Sequence, residues 1–385
     1  MRSERRASVA ERPWHRNGAI FLCLLFVATA CSSSGGPRGD RSSLPPAFTS
    51  PMYRCERPTP EPVPSDSSRA ISPSPGPPSQ GVAPPTTTPY EKAIDVAASL
   101  GLEVWLEADL SRRWLASCGD FERGVRALAR LARRPGVVGF KIGDEIGYQD
   151  GFQLLPLDLL TFLDDVTAAL HRVAPSREVL IDLLVPDLGC APGLARARSR
   201  TPACLSKADT RYPALTLREI DGYLRYGHLD VVNISTDLFA DATYRSWGID
   251  AGAAQRAAWN EVRRRGWFGE VHVQARKALA HPGVYEGGPA QAAADLSTFV
   301  DIPLQEGAGA VDVWAWRQPY QGQIFRLLDP GLVSNALWEG LVERHDRGDH
   351  LLTHFSPASV EHSVEADLTA LSRAFTGVFM AAGIG

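Results

Sequence analysis

The chain lacks several features that would have pointed straight to a chemistry. Its six cysteines contain no Cys-x-x-Cys pair, which argues against a cysteine-based zinc site. No Gly-x-Gly-x-x-Gly or P-loop pattern follows a predicted strand, which weighs against a nucleotide-binding sheet. Lysine and arginine form no sustained block and the formal net charge is -4, so no nucleic-acid partner is expected. No apolar run reaches the ~20 residues that a membrane-spanning helix needs. There is no strong internal repeat, and no cofactor or metal site is predicted; His350 and His354, four apart, read as a solvated helix end rather than as metal ligands. What remains is the composition of a soluble protein, 44% hydrophobic and 22% charged over 385 residues.

The N-terminus has its own character. Arg2, Arg5, Arg6, Arg12 and Arg16 precede an uncharged stretch from Gly18 to Ala30 that ends Val27-Ala28-Thr29-Ala30-Cys31, the pattern of an export signal over residues 1–31. Small residues before Cys31 and Ser/Gly after it resemble the lipobox of bacterial lipoproteins. That resemblance implies lipidation of Cys31 and an exported protein anchored at the outer face of the cytoplasmic membrane, with simple secretion as the alternative. Residues 32–89 are dominated by Ser, Pro, Thr, Arg and Gly, cannot bury enough apolar surface to offset chain entropy, and read as a disordered tether. In an oxidising compartment Cys190 and Cys204, fourteen apart in one Pro/Gly-punctuated loop, are predicted to bond, leaving Cys55 and Cys118 without an assigned partner.

From residue 90 to 350 helical and strand-like segments alternate. Strands are predicted over Glu103 to Leu110, Val137 to Glu145, Val179 to Val185, Val231 to Leu238, Val271 to Arg276 and Val311 to Arg317, with helical segments between them. This regularity favours an α/β fold of the (β/α)8 TIM-barrel type over a doubly wound sheet. Two strands are missing, no convincing strand precedes the helix at Tyr90, and so the barrel is expected to be incomplete at its opening strands. Residues 351–385 are set apart as a C-terminal extension.

Alternation sorts the side chains of each strand onto two faces. Val104, Leu106, Phe140, Ile142, Val179, Ile181, Val232, Ile234, Val271, Val273, Val311 and Val313 form one set. Opposite them stand Glu107, Asp109, Lys141, Glu145, Asp182, Asn233, Asp237, Gln274, Arg276, Asp312, Trp314 and Trp316. In a barrel the apolar set meets the helices and the other set points to the axis, where polar groups at the C-terminal strand ends form the active site.

The segment Gly136-Val137-Val138-Gly139-Phe140-Lys141-Ile142-Gly143-Asp144-Glu145 resembles the fourth-strand region of retaining TIM-barrel glycoside hydrolases, with Asp144 where asparagine is usual. Gly309 to Trp316 resembles their last strand. The resemblance implies Glu145 as general acid/base and a carbohydrate partner, with Trp314 and Trp316 against sugar rings and Glu107, Asp109, Gln274 and Arg276 around the substrate. The second carboxylate stays open between Asp237, Asp109, and an Asp144–Glu145 pair, because Gln274 stands where the nucleophile belongs. The alternatives are a carbohydrate-binding lipoprotein without activity and a structural or assembly lipoprotein without a ligand.

Overall fold

A computed structural model describes residues 87–148 and 154–384. The export signal, Cys31 and the tether as far as residue 86 lie outside the described residues. Eight parallel strands close a barrel: β1 (Glu103–Glu107), β2 (Val137–Lys141), β3 (Glu178–Leu184), β4 (Val231–Ser235), β5 (His272–Ala278), β6 (Val311–Trp314), β7 (Leu351–Phe355) and β8 (Gly377–Ala381). They follow chain order around the barrel, and β8 pairs with β1, placing Glu103 opposite Gly377 and Glu107 opposite Ala381.

The TIM-type barrel is therefore complete, and the two strands missed in the sequence come at its end rather than its beginning. Residues 351–385 are not an extension; they supply β7 and β8. Helix α1 (Pro89–Ser99) opens the described domain without a preceding strand because it packs against β1, β8 and α2 (Val364–Leu371), the place of the helix that would follow β8. Its start is written locally: Thr88 and Glu91 form a reciprocal capping box and Pro89 occupies the first turn. Ala93, Ile94 and Ala97, spaced for one helical face, are buried.

Inside the barrel the axial side chains form two layers. The lower layer is apolar, built from Trp105, Leu180, Val231, Ala310, Leu352 and Phe379. Gly139 exists to admit it, since a Cβ there would lie 2.4 Å from the Trp105 ring and 2.6 Å from the Glu178 carbonyl oxygen. The opposite-parity residues, among them Val104, Leu106, Phe140, Ile181, Ile234, Val273 and Val313, join the main core beneath the helices. Above the Trp105–Phe379 layer, toward the C-terminal strand ends, Glu107, Lys141, Asp182, Asn233, Asp312 and His354 form a polar layer.

The structure joins Cys190 to Cys204, with 5.7 Å between their Cα atoms. Cys118, left without a partner in the sequence, is itself disulfide-bonded.

Candidate active site

The polar layer is an ion network with Lys141 at its centre. Lys141 lies at the end of β2 with no exposed surface, and its Nζ is 2.6 Å from Glu107, 2.7 Å from Asp182 Oδ2 and 3.3 Å from Asp144. It sits 5.3 Å above the Phe379 ring, so the apolar layer forms its floor. Arg276 on β5 reaches the same ground: Nε is 3.0 Å from Asp182 and 3.3 Å from Asp312, while the guanidinium donates to Asp144 at 2.8 Å and to Glu145. Asn233 donates to Asp182 at 2.8 Å and to Asp312 at 3.3 Å.

His354 on β7 completes the layer. Its Nε2 is 2.9 Å from Asp312 Oδ2, and its Nδ1 is 3.2 Å from both Glu107 carboxylate oxygens. The imidazole is thus held between a fully buried carboxylate and one that meets solvent. Alternation in Leu351-Leu352-Thr353-His354-Phe355 puts His354 on the axis with Leu352. That signal was present in the sequence, and reading His350 and His354 as a helix end concealed it. His350 instead lies 3.2 Å from Glu103.

These contacts push the titrating groups apart. Burial acts to raise the Glu107 carboxyl, but Lys141 and His354 outweigh it and hold Glu107 at about 2. Burial dominates at Asp182 and pushes it up to about 7 despite Lys141 and Arg276. Its Oδ2 touches both cations without an aligned hydrogen bond. Burial works against the charge on His354, yet Asp312 and Glu107 together raise it to about 9. Asp144 is held well below the ordinary carboxylate range, because Arg276 and Lys141 overcome its desolvation. Two carboxylates on one ammonium therefore have opposite fates: Glu107 is a fixed anion, and Asp182 can take a proton near neutrality.

A cleft of about 870 Å³ opens above this layer. Glu107, Asp144 and His354 lie at its floor, Trp314 lines a wall, and Asp109, Arg112 and Arg113 stand at the rim. Part of one wall is Gln318 and Pro319, from a hairpin of strands Arg317–Tyr320 and Gln323–Arg326.

Among the described residues, Asp182, Asp312 and His354 form the single group whose ligand atoms, within 4.8 Å of one another, could hold a metal ion. The donor set is already served by protein cations: Lys141 Nζ is 2.7 Å from Asp182 and 3.4 Å from His354 Nε2, and Arg276 Nε contacts both aspartates. A divalent ion there would sit beside two permanent positive charges.

Several residues singled out in the sequence serve other ends. Glu145, expected as the acid/base, has a left-handed backbone (φ 47°), is ion-paired to Arg276 and does not line the cleft. Asp144, past the end of β2 where alternation no longer applies, turns toward the axis. Asp237 also adopts a left-handed conformation (φ 46°) beyond β4, away from the cleft lining, where burial raises its carboxyl. Gln274 is buried with Oε1 unpartnered. Asp109 accepts from the Ser111 amide at 3.0 Å and pairs with Arg112. Trp316 is not axial; it is buried against Trp338 and donates to Asp367 at 3.0 Å. Only Glu107, Asp109, Asp144 and Trp314 of the predicted set line the cleft.

Neither a protein-family model nor a curated protein sequence matches the chain. Solved structures do match in layout. Rhizobium etli pyruvate carboxylase does so at 12% identity and TM-score 0.35, over 76% of this chain and 24% of that one. Its carboxyl transferase domain gives 12% and 0.36, over 77% and 42%. A 2,3-dimethylmalate lyase of the PEP mutase/isocitrate lyase superfamily gives 14% and 0.33, over 78% and 83%. The chain thus spans under half the length of the pyruvate carboxylase chains it matches.

The glycoside-hydrolase resemblance is overturned. Glu145, the residue that carried it, is bound to Arg276 and does not line the cleft. The carbohydrate partner, active or inactive, falls with it. The lipoprotein identity with its membrane anchor finds no support in the comparisons, and Cys31, on which it rested, lies outside the described residues. No described helix is long and apolar enough to cross a membrane.

Proposed function

We propose that the barrel mouth is the active site of an enzyme that uses His354 as a general acid on a small molecule held in the cleft. The observation that carries this reading is the Asp312–His354–Glu107 line at the cleft floor, with 2.9 Å on the buried side and 3.2 Å on the open side. A general acid must be protonated at working pH and within reach of the reacting atom. His354 meets the first condition up to about pH 9 and lines the cleft. Asp312 orients the ring and stabilises its charge, as a buried carboxylate behind an imidazole does. The proton offered is the one His354 shares through Nδ1 with Glu107; once given up, it is restored from solvent through the cleft.

Glu107 has a different part. Held ionised to about pH 2, it is a poor base near neutrality and acts as a preoriented anion beside positive charge that develops during reaction. Lys141 and Arg276 keep the floor fixed. The disulfide between Cys190 and Cys204 supports work in an oxidising compartment, outside the cytoplasm.

The test is turnover of small-molecule mixtures by the full chain, followed by mass spectrometry, for the wild type and His354→Gln. The expected result is a compound consumed by the wild type and spared by about a hundredfold or more in the variant. Equal consumption by both proteins, or none by the wild type, overturns the reading.

A further inference from the structure

We infer that the cleft takes a small organic cation, a protonated amine or quaternary ammonium group, seated between the Trp314 indole and the Glu107 carboxylate. The inference rests on the acid-site reading and adds the class of substrate.

The first ground is that no floor cation is available to an anion. Lys141 contacts Glu107, Asp144 and Asp182. Arg276 contacts Asp144, Glu145, Asp182 and Asp312, and His354 contacts Glu107 and Asp312. An incoming carboxylate or phosphate would have to displace a buried ion pair and leave a charge uncompensated. At the rim, Arg112 pairs with Asp109 and Arg113 donates to the Ile384 carbonyl.

The second ground is charge balance. Five carboxylates (Glu107, Asp144, Glu145, Asp182 and Asp312) surround three cations (Lys141, Arg276 and His354) in this network. Even with Asp182 protonated, negative charge is in excess. A ligand cation brings the network closer to neutrality, and an anion drives it further away.

The third ground is the wall. The Trp314 indole is half-buried, and Tyr320 and Phe325 pack against it with ring centroids 6.0 Å away in each case, which fixes its plane. An indole face is the best aromatic partner for a cation, and quaternary ammonium ligands are recognised by such surfaces.

The experiment titrates the full chain by calorimetry with choline, its neutral isostere 3,3-dimethyl-1-butanol and the anionic isostere 3,3-dimethylbutanoate. Choline is expected to bind about tenfold or more tightly than the neutral compound, with the anion weaker still. Trp314→Leu, at a half-buried wall position, and Glu107→Gln should each remove that preference. His354→Gln, which takes away a positive charge, should leave choline binding equal or tighter. Undetectable choline binding, or binding no tighter than that of either isostere, overturns the inference. Turnover that depends on His354 would still stand in that case, so the two readings fail separately.

Discussion

The Lys141 ammonium and the Asp182 carboxylate, both without exposed surface, meet at 2.7 Å inside the barrel. Neither could be buried alone, because an unpaired interior charge is strongly destabilising. Lys141→Met should therefore leave Glu107, Asp144 and Asp182 short of their common partner and lower unfolding stability by about 3–5 kcal/mol in urea titration. A loss under about 1 kcal/mol would show that the network does not depend on this residue.

Stability should fall at alkaline pH. His354 is raised from 6.5 to about 9, so its contribution is complete below pH 6.5 and is lost as pH rises through 9. Asp182, raised from 3.8 to about 7, acts in the same direction at lower pH, with its contribution fading between about 4 and 7. Glu107, lowered from 4.5 to about 2, works the other way and loses its contribution as pH falls through 2. Urea midpoints should decline between pH 6.5 and 9, and His354→Gln should flatten that limb. An alkaline limb of equal slope in the variant would assign it to another group.

Deleting residues 351–385 should abolish the fold. Without β7 and β8 the barrel cannot close, and β1 and β6 are left with bare hydrogen-bonding edges that invite aggregation. The truncated chain is expected to be insoluble or to lack a cooperative thermal transition. A soluble, cooperatively unfolding product would contradict the closure described.

The strand faces were legible because alternation is a local property: Val104, Ile181, Ile234 and Val313 went to the core, and Lys141, Asp182, Asn233 and Asp312 to the axis. What failed lay past strand ends. Asp144, Glu145 and Asp237 follow the last paired residues of β2 and β4, where left-handed turns end the alternation. Trp316 lies beyond β6, where the chain leaves for the hairpin. Of the two final strands, Gly377–Ala381 escaped because it is a short continuous apolar run, the mark of a strand buried on both faces, which periodicity alone does not separate from a helix, and Leu351–Phe355 because His350 and His354 read as a helix end. Alternation also gathers Glu107, Lys141, Asp182, Arg276 and Asp312 on one axis, where buried charges of both signs must pair, but which partners meet depends on closure of the barrel and is not set by spacing.

Glu361 fastens the cleft wall. Arg317 and Arg326 face each other across the hairpin, and the Glu361 carboxylate lies 2.7 Å and 3.1 Å from them while also accepting from the Gly331 amide at 3.2 Å. Glu361→Ala leaves two guanidinium groups opposed. It should raise amide exchange across Arg317–Arg326 at least severalfold, with a stability loss of about 1–3 kcal/mol. Unchanged exchange in the hairpin would show that other contacts hold the wall.

The most direct test of an acid at the barrel mouth is the ionisation of His354 itself. Imidazole carbon–proton resonances followed by NMR from pH 5 to 11, and assigned by loss of one signal in His354→Gln, give its midpoint. The account predicts a value near 9. A midpoint at or below the ordinary 6.5 would mean that the ring is neutral at working pH, and the proposed general acid would not exist.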